Sequence, residues 1–172
     1  MADKNRRFEE IALPHLSAAY NLARWLTRND HDAEDMVQEA YLRAFKFFDS
    51  FRGEDGRAWL LAIVRNTCYS WLKQNRVQEL NDSFDEQVHA EADSSGDPQV
   101  SMLQNADKRL LDSALEALPL EFREILIMRE LEDLSYKEIA TVADIPLGTV
   151  MSRLARARDM LRRSLERIMQ EK

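Results

Sequence analysis

Thr149, Ser152, Arg153 and Arg156 recur at intervals of three, one and three along a stretch whose apolar positions Val150, Leu154 and Ala157 are spaced four and three. On a helix this pattern buries one side and presents hydroxyls and guanidiniums on the other. Such groups bond phosphate oxygens and, inside a major groove, the edges of bases. Just upstream, Ser135-Tyr136-Lys137-Glu138 has the S-x-x-E form of a capping box, which predicts a helix start. A small residue, Ala140, follows where two helices would cross, and Asp144 stands where a turn needs a residue tolerant of the left-handed region. Ile139, Ala143, Ile145 and Val150 would fix the crossing. Together these predict a helix-turn-helix whose second helix enters a major groove by its N-terminal end. Arg158, Arg162 and Arg163 lie further along that helix. An ordinary hairpin with a solvated basic face would carry the same arginines. The combination of capping box, small crossing residue and short turn favours DNA.

A second basic stretch runs from Arg57 to Arg76, with four basic residues and no acid. Trp59, Leu60, Ile63, Val64, Thr67 and Trp71 form its inward stripe, while Arg65, Asn66, Tyr69, Ser70 and Lys73 fall on the other side. Cations interleaved with an aromatic and an amide suit a nucleic-acid backbone and unstacked bases. Taken alone, the stretch reads better as a core helix with a wet basic face. The opposite character marks Asp30 to Glu39, which holds five acids and no Lys or Arg. On the helix that includes it, Asp35, Gln38, Glu39 and Arg43 share helical spacing; the negative patch suits a basic protein partner, and reads alternatively as a solvated first turn.

No catalytic constellation is visible. His15, His31 and His89 are scattered without partners at metal-ligand spacing, and no phosphate loop or nucleophile motif occurs. Cys68 is the single cysteine; it excludes an internal disulfide and reads as packed rather than reactive. The chain is read as not an enzyme, with no cofactor.

The elements that must position these groups are helical. A stripe of Leu16, Ala19, Tyr20, Ala23 and Leu26 predicts a helix within 11–26, with Pro14 in its first turn or marking a break before it. A second helix is expected from an N-cap at Asp32 to Phe48, a loop over 49–56, and a third helix from Arg57 to Gln74. The second half restarts at Leu110, breaks at Pro119, and ends in the capping-box pair and a long terminal helix. Between the halves, 77–107 contains eight acids, no Lys or Arg, and Ser94-Ser95-Gly96-Asp97-Pro98. Low hydrophobicity with charge of one sign predicts a flexible acidic linker. The expected architecture is all-α: two small helical domains, 5–76 and 108–172, joined by the linker 77–107, with no core continuous across the chain.

Composition agrees. The 172 residues include only four Gly and four Pro, few for a protein of many strands. The longest apolar run, Ala58 to Val64, is far short of the roughly 20 residues a bilayer span needs. Met1 to Phe8 has basic residues without an apolar stretch behind them, so no signal peptide and no membrane insertion are expected. A cytoplasmic location follows. The net charge of −7 argues at first against nucleic acid, but the excess sits in 77–112, which has 2 basic residues against 9 acids, while the flanks are near neutral.

The motifs in order resemble a known family. Asp32-Ala33-Glu34-Asp35-Met36-Val37-Gln38-Glu39-Ala40-Tyr41-Leu42-Arg43-Ala44-Phe45 is similar to the core-binding segment of bacterial sigma-70-type RNA polymerase sigma factors. Phe51-Arg52-Gly53, Ala58-Trp59-Leu60 and Arg65-Asn66-Thr67 resemble their −10 region. Leu118-Pro119, Phe122-Arg123-Glu124, Leu134 to Ala140 and Pro146 to Arg153 resemble their −35 reader. The short layout is similar to the extracytoplasmic function (ECF) group.

The resemblance implies partners and roles. Asp35, Gln38 and Glu39 would meet the β′ clamp helices of core RNA polymerase, with the β flap a further contact. Arg52 and Gly53, with Arg65, Asn66, Tyr69 and Lys73, would hold melted −10 DNA. Thr149, Ser152, Arg153 and Arg156 would address the −35 duplex. The linker would thread the polymerase channel, and an anti-sigma factor would hold the protein inactive. Two other readings stay open: a stand-alone helix-turn-helix regulator, which leaves 32–76 without a role, and a protein adaptor, which leaves the basic helix without one.

Overall fold

The computed structural model describes residues 2–53, 55–81 and 102–171. All regular structure among the described residues is helical. The helix expected within 11–26 is divided. α1 spans Ala2–Ala12, Pro14 lies at the start of a short 3₁₀ turn (Leu13–His15), and α2 spans Leu16–Thr27. Proline donates no N–H, so the break costs the ladder little there. The new phase buries Leu22 and leaves Leu16 46% exposed, correcting the predicted stripe.

α3 spans Asp30–Lys46 and is capped by Asn29, not Asp32: Asn29 Oδ1 accepts from the Asp32 N–H at 3.0 Å. The two caps compete because Asn and Asp serve equally well; the left-handed backbone of Arg28, which ends α2, sets the choice at 29. A 3₁₀ turn (Phe48–Ser50) and the loop at Gly53, whose φ is +78°, lead to α4, Gly56–Asn81. A side chain at 56 would meet Ile11 Cγ2 at 2.8 Å, so glycine permits α1 and the start of α4 to approach. Phe8, Phe48, Phe51 and Trp59 close this end as an aromatic cluster, with Phe8 and Phe48 edge-on at 5.5 Å.

The C-terminal half contains α5 (Met102–Glu116), α6 (Leu120–Leu126), α7 (Tyr136–Ala143) and α8 (Leu147–Gln170). α6 runs into a π turn, Ile127–Leu131, in which Glu132 N–H reaches back to Ile127 O at 3.0 Å. The widened turn and a left-handed Asp133 return the chain so that Leu134 is fully buried.

The predicted linker is shorter in the structure at both ends: α4 continues to Asn81 and α5 opens at Met102. The remainder of that expectation, 82–101, lies outside the described residues. The expectation of two separate cores is corrected. One buried cluster runs from Ala19 and Leu26, through Met36, Leu61 and Val64, to Ile125, Ile139 and Leu154. It is continuous because α4 packs on α2 and α3 and also on α7, while α6 packs on α2. Each buried Leu or Ile in that cluster contributes about 1.5–3 kcal/mol relative to exposure. A helix covered on several sides has no single apolar stripe, which is why the periodicity of 57–76 read as one wet face.

Candidate nucleic-acid and protein interfaces

The helix-turn-helix is built as its residues dictate. Ser135 Oγ accepts from the Glu138 N–H at 3.0 Å and the Ser135 N–H donates to Glu138 Oε1 at 2.9 Å, closing the capping box. Asp144 ends α7 in the left-handed conformation (φ 54°, ψ 52°), and its N–H bonds Ala140 O. Pro146, in extended conformation, then starts α8. Ile139, Ala143 and Val150 are buried at the crossing.

On α8, Ser152 and Arg156 are exposed and Thr149 and Arg153 half-buried. The Arg156 guanidinium lies 5.4 Å from the centre of the Phe122 ring, which holds it without neutralising it. Further along, the charge is cancelled: Arg158 pairs with Glu130 at 2.8 Å, and Arg162 and Arg163 both pair with Asp159. Among the described residues, the arginines of the N-terminal half of α8 with no carboxylate partner are therefore Arg153 and Arg156. These are the positions where the sequence pattern put base and phosphate contacts.

The six residues expected at melted DNA separate into two groups. Arg52, Gly53, Asn66 and Lys73 are exposed. Arg52 and Asn66 line a cleft of about 880 Å³ together with Phe51 and Trp59, and its opposite wall is Lys137, Glu138 and Thr141 of α7. Arg65 and Tyr69 instead lie in the contact between the two halves. Arg65 donates from Nε and Nη2 to Glu124 at 2.7 and 3.0 Å, and its guanidinium stacks 4.1 Å from the Tyr69 ring centre. Glu124 is 1% exposed. Burial opposes the Arg65 charge, but the hydrogen bonds and charge of Glu124 outweigh it and raise the guanidinium pKa. The Tyr69 hydroxyl is pushed up, by burial first and by Glu124 second. The expected outward placement of these two is thus corrected: the second half of the chain covers their side of α4.

Arg57 makes a parallel contact, donating to Glu138 from Nε at 3.0 Å and Nη2 at 2.7 Å. Burial pushes the Glu138 carboxyl up, yet the Arg57 and Ser135 hydrogen bonds prevail and hold it at about 2. Neither Glu124 nor Glu138 had a sequence signal for this role, because their partners stand 59 and 81 positions away.

On α3, Asp35 and Gln38 are exposed, while Glu39 accepts from Arg43 at 2.7 Å one turn on. The ridge continues to Leu42, 72% exposed, which the sequence reading passed over. Its signal was its place one step off the stripe of Ala40, Tyr41, Ala44 and Phe45. Among the described residues, no group of three or more His, Cys, Asp or Glu can hold a metal ion, and no helix is long and apolar enough to cross a membrane.

Comparison with known proteins matches both halves. Residues 11–77 fit the family described as Sigma-70 region 2, and residues 108–161 fit Sigma-70, region 4. The ECF RNA polymerase sigma-E factor of Escherichia coli K12 is 36% identical over 138 residues, covering 76% of this chain and 72% of that protein. The corresponding factor of Haemophilus influenzae is 32% identical, covering 86% and 81%. The ECF RNA polymerase sigma factor SigE of Mycolicibacterium smegmatis is 34% identical over 90% of this chain, which spans only 60% of that longer relative. Among solved structures, the sigma factor RpoE of Bartonella quintana, in complex with the anti-sigma factor NepR, superposes with a TM-score of 0.74 at 30% identity, over 94% of this chain and 98% of that one. CnrH in complex with the cytosolic domain of CnrY has the same fold at 22% identity and a TM-score of 0.66, covering 94% and 89%.

Proposed function

The chain belongs to the sigma-70 family of RNA polymerase sigma factors, in its ECF group, and on that premise we propose that it is a transcription initiation factor that brings core polymerase to promoters. The observation that carries this reading is the helix-turn-helix with Arg153 and Arg156 free of carboxylates at the leading half of α8.

The parts divide the work. Thr149, Ser152, Arg153 and Arg156 address the −35 duplex. Arg52, Gly53 and Asn66, beside the Phe51–Trp59 pocket, receive an unstacked −10 base, with Lys73 on the adjoining phosphates. Arg65 and Tyr69 join them once the second half has moved. Asp35, Gln38 and Glu39 meet the β′ clamp helices, with exposed Leu42 supplying apolar contact at the same ridge. The units 5–76 and 108–172 act as separate readers, and 77–107 spans between them on the polymerase.

Extruding bases from a duplex costs a few kcal/mol, roughly offset by stacking and pocket hydrogen bonds. A chain of net charge −7 gains little from phosphate attraction alone. Core polymerase supplies what is missing by aligning both readers on one DNA, which converts two weak contacts into one avid one. The site of action is then the cytoplasm, and a protein antagonist of the anti-sigma kind is the natural regulator. In vitro transcription with core polymerase on a promoter library tests this: new transcripts sharing paired elements near −35 and −10 are expected. Transcripts lost in Asp35→Lys/Glu39→Lys, with DNA binding by the free chain unaltered, place the polymerase contact on α3. Absence of initiation by folded protein would favour the stand-alone regulator.

A further inference from the structure

We propose that the leading half of α8 carries a second reading surface, an apolar ridge of Leu147, Met151 and Ala155 that selects thymine in the −35 duplex through its C5-methyl group. This rests on the reading above, in which α8 enters a major groove with Ser152 and Arg156 toward the bases.

Leu147, Met151 and Ala155 are four positions apart, so they follow one another along a single line of the helix. All three are exposed, Leu147 at 46% and Met151 at 50%, while Val150, Leu154 and Ala157 fill the core on the other side. Single exposed apolar side chains are ordinary, but these three are aligned. Beyond Ala155 the surface changes character: Arg158 is bound by Glu130, and Arg162 by Asp159. The apolar line is thus confined to the end of α8 that a helix-turn-helix inserts. A second line, Gly148, Ser152 and Arg156, runs beside the first, each member one position after a ridge residue. A Cβ added at Gly148 would meet nothing within 4 Å. Packing within the chain therefore does not require glycine there, and its missing side chain lets base edges come close to the helix.

The two lines suit different bases. Arg156, held by Phe122 without being neutralised, fits the O6 and N7 acceptors of guanine. Thymine is the one base that presents a methyl group in the major groove, and an apolar side chain is the contact that fits it. From Leu147 to Ala155 the helix rises about 12 Å, roughly three to four base-pair steps. The ridge therefore reaches thymines within a few pairs of a guanine bound by Arg156. Met151, unbranched and adaptable, can cover a methyl on either strand. Covering one methyl is worth about fourfold in affinity.

The test uses the complex of the full chain with core polymerase, on a promoter at which it initiates. Each thymine of the −35 element is replaced singly, on either strand, by deoxyuridine, which removes the methyl and keeps every pairing group. Wild type is expected to lose about threefold or more in affinity at one or two of these positions. Leu147→Ser/Met151→Ser is expected to bind thymine DNA more weakly and to lose the difference between thymine and uracil. Arg156→Ala is expected to weaken binding to both while keeping that difference. Should the double variant fail to fold, Met151→Ser alone is expected to lose at least half of the difference. A scan in which no position matters, or a −35 element selected without thymine, overturns the proposal. So does a difference that survives undiminished in the serine variants, which would assign the ridge to a protein partner or to the fold. A null scan beside normal initiation sinks this inference alone; absence of initiation sinks the functional reading and the inference with it.

Discussion

Arg123 donates through Nη1 to the carbonyl oxygen of Trp25, 3.1 Å away and 98 positions earlier in the chain. The same guanidinium bonds the carbonyls of Leu115, Glu116 and Leu118, so one side chain caps the end of α5 and ties it to α2. Arg123 is 6% exposed, and burial lowers its pKa, while each of its three nitrogens donates to a carbonyl. Replacing it leaves four carbonyls without their donor, and those of Leu115 and Leu118 lie in buried contacts, where an unmet acceptor costs about 1–3 kcal/mol. Arg123→Met is expected to cost ~3–5 kcal/mol in urea denaturation, and Arg123→Lys about half of that, since an ammonium cannot span four acceptors. A loss below about 1 kcal/mol in Arg123→Met would show that the carbonyls find other partners.

Glu138 gives the protein a pH dependence of defined sign. Its carboxyl is held at about 2 against an ordinary 4.5, so the ionised form is favoured in the folded state. Its contribution is complete above the ordinary carboxylate range and is lost as pH falls toward 2. Thermal unfolding from about pH 6 down to pH 2 is expected to show a steeper decline for wild type than for Glu138→Gln. Parallel curves would mean that the Arg57 contact is not made in solution.

Arg156 and Arg158 stand two positions apart on α8 and differ in what surrounds them. Arg156 rests on Phe122, whereas Arg158 is already bound by Glu130. Arg156→Ala is expected to cost roughly 1–3 kcal/mol in promoter binding by the polymerase complex, and Arg158→Ala less than about 0.5. Comparison of matched and scrambled −35 sequences separates base reading from phosphate contact, which would weaken both equally.

Cys68 is fully buried, and burial pushes its thiol up to about 12. A thiol without thiolate character is a poor nucleophile. The native protein is expected to resist iodoacetamide at pH 8 for hours and to react within minutes in urea. Rapid alkylation of the native form would reveal an opening around α4.

Asp144 carries the left-handed turn between α7 and α8. Asp144→Gly relieves the backbone and is expected to change stability by less than about 1 kcal/mol, whereas Asp144→Val is expected to cost about 1–2 kcal/mol. The DNA affinity of Asp144→Val should fall with its stability, because the turn sets the angle at which α8 is presented.

Local signals in the chain settle much of this architecture. The capping box at Ser135 and Glu138, the turn at Asp144 and the buried stripe of α8 depend on residues within a few positions of each other, and each forms as read. The burial of Cys68 was legible for the same reason, from its place beside the apolar positions of its own helix. The break at Pro14 and the cap at Asn29 were nearly legible; each turned on a choice between neighbouring positions of similar propensity.

What a residue on α4 faces was not legible. Helical spacing separates one side of a helix from the other, but it says nothing of a second surface arriving from elsewhere in the chain. Arg65 and Tyr69 therefore read as solvent-facing, although Glu124 and the helices around it cover them. The amino-acid order determined the helices, their caps and the chemical character of each face. Which faces meet was decided only by tertiary packing, because an ion pair across 59 positions forms when the surrounding apolar surfaces have already brought its partners together.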